Sequence, residues 1–503
     1  MNTSANVSQR TFFVYFIAAS IIGGILLAML SFYLPTWSEE RGWLKIGKAI
    51  SAGERLNPVA PKSDYPSSFQ AFPIGLFIYA GMSPIDASRL VGILLAIAGT
   101  FFFGLFAVQV SNGKAVAIFG SMLLSLLTYS TGFYVMTGWH EVTHINLLCG
   151  AATYFLYSIF GSGEKNTLNA VGLGAALGLS LWTLYTPALA ACGLIFVLLC
   201  LPSKVVHWKF KTWVFCSLVV TTAPLIIGIA RSKGEWLHRH FLWIVQGGEW
   251  EATKYSAQNP FSDAMLRTLE RIWLTIVPHP TDHSFDLAMG IFPEWPILVL
   301  ALVGLIISFF NLKQIVVVTI PFFITFVGLV LSNATPWRAS ILSFYVILYA
   351  IIGLGFIANV RLRNGGAKTI AIVCLPLLLA WQAGLFLSAL TQVQRVAKVR
   401  FFDGQIASKI YSECGSLIAD PKVSIAALDH MSLILLESML PGVRAFKFVP
   451  QDSPNYRELE DSNAEVLIAL QPDPKEVQKG FEHYKIACEG VLGDHTFYLG
   501  KKS

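Results

Sequence analysis

Long apolar segments constrain this chain more than any other feature of its sequence. They lie near residues 11–34, 87–110, 115–134, 145–161, 168–184, 187–201, 213–231, 295–311, 314–331, 339–359 and 369–390. A helix that crosses a hydrocarbon core needs roughly 20 mostly apolar residues, and backbone placed there must satisfy its own hydrogen bonds. These runs therefore predict an α-helical polytopic membrane protein with about eleven transmembrane helices. Composition agrees, with 54% hydrophobic and only 13% charged residues, where a soluble domain carries about 25% charged. The net charge of +6 is then a property of loops facing membrane lipids, and no nucleic-acid partner is expected.

The first run is too long for a signal-peptide core and lacks a small-residue cleavage site, so it reads as a retained span. Five of the seven cysteines, Cys149, Cys192, Cys200, Cys216 and Cys374, fall in apolar runs and read as small core hydrophobes.

Lysine and arginine positions set the expected orientation. With the N-terminus inside, the inner segments hold Arg10, Lys114, Lys165, Lys204, Lys209, Lys211, Lys313, Arg361, Arg363 and Lys368, whereas the short outer loops hold only Arg338. That asymmetry follows the positive-inside rule. An odd number of spans then puts the tail outside, together with a first loop at 35–86 and a second at 232–294. The expected organisation is a transmembrane catalytic domain over 1–390 and a small extracytoplasmic α/β domain over 391–503. In the tail, Val423–Leu428, Ala445–Val449, Val466–Ala469 and Tyr484–Cys488 have strand character, and Ile406–Tyr411 has helical character. Cys414 and Cys488 are either a disulfide, which an outside location permits, or two buried thiols; the sequence leaves both open.

Three outward-facing groups of residues carry the chemistry. The first is Trp37-Ser38-Glu39-Glu40-Arg41-Gly42-Trp43, just after span one. Adjacent carboxylates at a water–lipid boundary are costly to desolvate. One can accept a proton from an attacking hydroxyl while its neighbour orients the acceptor or holds a cation; equally, the pair can cap an interfacial helix between two belt tryptophans. The second group is His140-Glu141-Val142-Thr143-His144, an H-E-x-x-H pattern that on a helix puts two imidazoles on one face for zinc. A catalytic zinc needs a third ligand, for which Glu249, His279, Asp282 and His283 are outer candidates. The same side chains can instead bind sugar hydroxyls or a divalent metal ion beside a lipid phosphate. The third group is Asn333-Ala334-Thr335-Pro336-Trp337-Arg338 with Tyr345 following. Arg338 stands against the charge asymmetry and requires a partner, either a phosphate or a loop carboxylate. The second loop's Arg239, Lys254, Arg267 and Arg271, with Trp236 and Trp250, suit an amphipathic lid.

After the acid pair, Leu44 to Arg55 has the mix of a surface helix. The punctuated stretch Asn57-Pro58 to Pro73 follows, and Ala87-Ser88-Arg89-Leu90 leads into span two. This order resembles the GT-C fold glycosyltransferases, such as the protein O-mannosyltransferases and the aminoarabinose transferase of lipid A. The resemblance is specific over about residues 11–110 and architectural beyond. It implies an inverting enzyme at the outer face of a bacterial inner membrane, N-terminus cytoplasmic and C-terminal domain periplasmic. Its donor is a polyprenyl-phosphate sugar, and its acceptor a hydroxyl on a glycan, a lipid-linked saccharide or lipopolysaccharide such as O-antigen. Glu39 and Glu40 take the places of the family's catalytic Asp and second acid. Glu for Asp alters reach, so either is a candidate base. Lys62 is a displaced counterpart of the family's basic residue. Arg41, Lys62, Tyr65, His140, Glu141, His144, Arg338 and Tyr345 are expected to bind substrate.

Rival classes are a membrane zinc metalloprotease built on His140, Glu141 and His144, a polysaccharide polymerase or ligase, and a transporter. Transport predicts charged residues buried mid-span or an internal repeat, and the sequence shows neither, its clear charges lying in loops. No G-x-G-x-x-G after a strand and no Walker loop occurs.

Overall fold

A computed structural model describes residues 8–31, 71–128, 141–162, 167–183, 186–231, 294–331, 341–359, 376–385, 403–418, 423–427, 464–470, 483–492 and 495–502, with shorter pieces at 44, 46–47, 49–53, 131, 135, 233, 387–388, 446–448 and 481. The chain divides into two compact units. One comprises Met1–Phe32, Glu54–Pro73 and Arg89–Thr391; the other comprises Tyr33–Gly53, Ile74–Ser88 and Gln392–Ser503.

The first unit is a helical bundle. Its helices are α1 (Gln9–Ser31), α3 (Pro84–Val110, continuing from the second unit), α4 (Ala115–Leu126), α5 (Glu141–His144), α6 (Gly150–Ser162), α7 (Thr167–Thr183), α8 (Thr186–Cys200), α9 (Trp208–Arg231), α10 (Trp295–Ser308), α11 (Leu312–Gln314), α12 (Ile320–Leu331) and α13 (Ile341–Asn359). The last, α14, covers Pro376–Leu385. The described residues contain five helices long and apolar enough to cross a membrane and six shorter apolar ones, one at each expected span. Their lipid-facing surfaces carry exposed Phe13, Ile17, Val220 and Leu302, as expected where the solvent is hydrocarbon.

Two spans contain a π-turn that the sequence did not announce. Ile145–Cys149 joins α5 to α6, and Ile315–Thr319 joins α11 to α12. Boundaries also moved. The third span was expected to reach 134; α4 itself stops at Leu126, and beyond 128 the described residues 131 and 135 are again helical. Just past Leu126 the Thr128 hydroxyl accepts from the Thr131 amide, so a side chain takes over hydrogen bonding that would extend the helix. The expected start of the eleventh span, 369–375, lies outside the described residues, and its helix is described from Pro376.

Glycines set how closely the helices approach. A Cβ at Gly304 would land on the Tyr349 carbonyl, and one at Gly353 on the Leu300 carbonyl, so α10 and α13 cross with backbones in contact. Gly174 and Gly178 do the same for α7 against α9. At one end of the bundle, Asn112 (φ 51°) and Gly113 (φ 78°) turn the chain in left-handed geometry between α3 and α4. Gln109 donates to Ser158 Oγ at 2.5 Å, Lys313 lies 3.8 Å over the Tyr157 ring, and Gly355 packs against Ser111. Lys211 donates to the Leu199 and Leu201 carbonyls at 3.2 and 2.6 Å, capping α8 with a cation. Lys114, Lys211 and Lys313 are among the cations that the charge reading assigns to the inner side.

In the second unit, residues 44, 46–47 and 49–51 are helical and cross α2 (Phe72–Tyr79), a short helix absent from the sequence reading. Gly47 abuts Ile74, and a Cβ on Gly75 would meet Ile50 and the Gly47 carbonyl. The tail forms helix α15 (Asp403–Ile418) and strands β1 (Ile425–Ala427), β2 (Phe446–Phe448), β3 (Val466–Leu470), β4 (Tyr484–Leu492) and β5 (His495–Lys502). The sheet order is β2-β1-β3-β5-β4, with β1 parallel to β2 and β3, and β5 antiparallel to β3 and β4. Strand alternation sends Val466 and Ile468 to a core with Ile410, Cys414, Phe497 and Leu499, and Leu467 and Ala469 to a second core with Phe481 and Tyr484. Cys414 and Cys488 form a disulfide with Cα atoms 5.9 Å apart, resolving the alternative the sequence left open. β5 was not expected; its one sequence signal is Gly493-Asp494 between two runs, a two-residue hairpin pattern.

Candidate active site

Most of the expected site lies outside the described residues. Glu39, Glu40, Arg41, Lys62, Tyr65, His140 and Arg338 are outside the described residues, as are Arg239, Lys254, Arg267 and Arg271. Glu141 opens α5, and its side chain is likewise outside them.

Three expected elements are described. α3 starts with Pro84 at its first helical position, behind Ser83. The Ser83 hydroxyl accepts from the Asp86 amide at 3.2 Å and donates to Asp86 Oδ2 at 2.6 Å, a reciprocal N-terminal cap. The next turn carries Arg89, fully buried and engaged by a partner. A guanidinium is rarely taken out of water without a partner, so the Ser-Arg-Leu entry to span two is a built feature. His144 is 2% exposed and also partnered, which places it inside the bundle rather than on an open surface. Tyr345 is 1% exposed, and its hydroxyl lies 2.8 Å from Thr325 Oγ1. Its described contacts are protein, with Phe322 and Phe344 against the ring.

A buried polar seam, which the sequence reading did not anticipate, runs through the same helices. Thr100 Oγ1 and Ser125 Oγ are 2.9 Å apart, joining α3 to α4. Thr128 donates to Thr131 at 2.7 Å, and Asn146 Nδ2, in the first π-turn, donates to Thr131 Oγ1 at 3.2 Å. Gly99 allows this turn to approach, since a Cβ there would meet the Asn146 and Leu147 backbone at 3.1 Å. Farther along, Gln382 Nε2 of α14 donates both to the Leu127 carbonyl at 2.9 Å and to Glu294 Oε1 at 3.0 Å. One amide thus joins the end of α4, the start of α10 and α14. By the charge reading these are all outer ends, the same side as the acid pair and the H-E-x-x-H segment. The only sequence signal for Gln382 is a lone amide inside an apolar run, which usually marks an interface and names no partner.

Among the described residues no three His, Cys, Asp or Glu side chains are grouped so as to hold a metal ion. The zinc reading depends on His140, which is not among them.

No protein-family model and no curated protein sequence matches the chain. Its architecture does have solved counterparts. ArnT from Cupriavidus metallidurans, in a crystal structure bound to undecaprenyl phosphate, is similar at TM-score 0.63 and 12% identity, covering 98% of each chain. The oligosaccharyltransferase of Archaeoglobus fulgidus, in complex with Zn and sulfate, is similar at TM-score 0.52 and 12% identity, over 90% of this chain and 67% of that one. The arabinofuranosyltransferase AftD from Mycobacteria is similar at TM-score 0.50 and 14% identity, over 97% of this chain and 41% of that one. At these identities the likeness is one of fold, and it extends from the first helix through the tail. The chain is a polytopic membrane protein of the GT-C fold.

Proposed function

We propose that this protein is an inverting glycosyltransferase that takes a sugar from a polyprenyl-phosphate carrier to a hydroxyl of a glycan, lipid-linked or lipopolysaccharide acceptor. The observation that carries this reading is the end-to-end correspondence with ArnT, a structure that holds undecaprenyl phosphate. The Glu39-Glu40 pair after the first span supports it independently.

In the proposed reaction the carrier enters sideways from the outer leaflet, and Arg338 neutralises its phosphate. Glu39 or Glu40 takes the proton of the acceptor hydroxyl, whose oxygen forms the new bond to the anomeric carbon from the face opposite the phosphate. The anomeric carbon–oxygen bond to phosphate breaks, the configuration inverts, and polyprenyl phosphate leaves with the electron pair. Arg41, Lys62, Tyr65, His140, Glu141 and His144 supply contacts around the two substrates. Tyr345, buried against Thr325, acts from within the bundle by holding the helix that follows Arg338. A divalent metal ion at His140 and His144 is compatible with the same chemistry.

The proposed location is a bacterial inner membrane with the tail in the periplasm. The Cys414–Cys488 bond supports that side, because disulfides persist in oxidising compartments.

Separate Glu39→Gln and Glu40→Gln variants, assayed for transfer from polyprenyl-phosphate sugars, test the reading. The variant that removes the base should lose about 10²–10⁴-fold in turnover. Full turnover in both would sink the mechanism. Loss of a proteolytic activity in Glu141→Gln, with Glu39 dispensable, would favour the zinc protease instead.

A further inference from the structure

We propose that the exposed face of α2 is a membrane-docking surface, whose side chains enter the acyl chains of the leaflet at the Pro84 end of α3. Its partner is phospholipid, and the proposal stands apart from the glycosyltransferase reading.

Composition sets this segment apart. No residue from Tyr65 to Ile85 carries a charge, and α2 is built only of Phe, Pro, Ile, Gly, Leu and Tyr. The helix within this run has 8 residues. At 1.5 Å per residue it is about 12 Å long, far short of a hydrocarbon core about 30 Å thick. An apolar helix too short to cross belongs in a protein core or in the membrane interface.

The burial pattern decides between the two. Ile74 and Gly75 are buried, and the nearest atoms to a Cβ on Gly75 belong to Ile50 and the Gly47 carbonyl. The opposite stripe is Phe72, Leu76 and Tyr79, spaced i, i+4 and i+7 on one face. These side chains are 49%, 58% and 79% exposed. One face of α2 is therefore packed, and the other is open although it is equally apolar. A helix facing water carries polar residues there, and an aligned apolar stripe marks an interaction surface.

Chain geometry names what covers it. Gly81 closes α2 at φ 96°. Its amide donates to the Ile78 carbonyl at 2.9 Å, and the Met82 amide donates to the Phe77 carbonyl at 3.1 Å, a left-handed helix stop. Ser83 then caps α3 at once, so the two helices join without slack. α3 is a candidate membrane span of 27 residues. Its length of about 40 Å matches a bilayer of about 40–45 Å including headgroups, so its Pro84 end reaches the interface. α2 leaves from that level, and the partner always present there is lipid. Tyr79, at the α3 end of the stripe, has the amphipathic ring favoured at this boundary. Through Gly47 and Gly75, docking also holds the helical residues of 44–51, which follow the acid pair, at the membrane surface.

The test places p-benzoylphenylalanine at position 72, 76 or 78 of the full-length protein. Each form is illuminated in vesicles of phosphatidylethanolamine and phosphatidylglycerol that lack polyprenyl lipids, and adducts are read by mass spectrometry. Positions 72 and 76 are exposed, so the probe displaces no packed side chain. Both should yield phospholipid adducts carried on the acyl chains. Ile78 lies against Gly47, and a probe there should crosslink within the chain. Crosslinked dimers from positions 72 and 76 would assign the stripe to a second copy. Crosslinks to another segment of the chain would make it a covered protein surface. Adducts confined to headgroups, or none at all, would leave it in water. Each of these overturns the proposal, as does equal lipid labelling from position 78. Sugar transfer is measured separately, so none of these outcomes decides the glycosyltransferase reading.

Discussion

At single positions, what matters in this bundle is which atom a side chain would meet. Gly304 and Gly353 face main-chain carbonyls across the α10–α13 crossing, and a carbonyl cannot move aside as a rotamer can. Gly304→Ala and Gly353→Ala should each destabilise the protein by about 1–3 kcal/mol, the usual cost of overpacking, seen as a lower unfolding midpoint in detergent. Gly384→Ala is the control, since no atom of the described residues lies within 4 Å of that Cβ; its midpoint should hold or rise with the better helix former. If all three behave alike, close backbone contact is not what these glycines provide. The sequence made the charged candidates visible at this scale because charge is rare in an apolar chain. It could not reveal Gln382 or Asn146, whose importance lies in partners 255 and 15 residues away.

At the scale of helices, run length predicted every described span, but not where regular winding fails. The Ile145–Cys149 π-turn carries Asn146 to Thr131 and directly follows Thr143 and His144, so one surplus residue sets the direction of the outer end of that span. π-turns of this kind often mark functional positions. Deleting Leu147 should restore regular winding and rotate everything before it by about 100°. The expected outcome is an unchanged helical circular-dichroism spectrum with sugar transfer lost. Retained transfer would show that the π-turn does not orient the site. The sequence gives no warning of this turn, because a π-turn contains the same apolar residues as the helix around it. The early stop of α4 was more legible: Thr128 is a residue type whose hydroxyl competes for backbone groups, and here it takes the Thr131 amide.

At the scale of the whole molecule, a membrane-spanning body and a disulfide-closed tail place different demands on the sequence. The Cys414–Cys488 bond spans 74 residues and joins α15 to the edge strand β4 of a small sheet. Cys414→Ser should cost the tail about 2–4 kcal/mol, detected as faster proteolysis of residues 391–503 with the bundle intact. In wild-type membranes both thiols should resist maleimide until a reductant is added; immediate labelling would refute the bond and weaken the periplasmic assignment. By itself the sequence determined that the chain crosses a membrane many times, that its positive charge is segregated to one side, and that an acidic pair follows the first span. These follow from hydrophobicity and charge, which act residue by residue and can be read along a line. Only the tertiary structure decided that Cys414 pairs with Cys488 and that β5 completes the sheet. It likewise decided that the end of α4 and the start of α10 meet at the Gln382 amide of α14. Those outcomes depend on which distant segments come within 3 Å of each other, and no local pattern of residues encodes that distance.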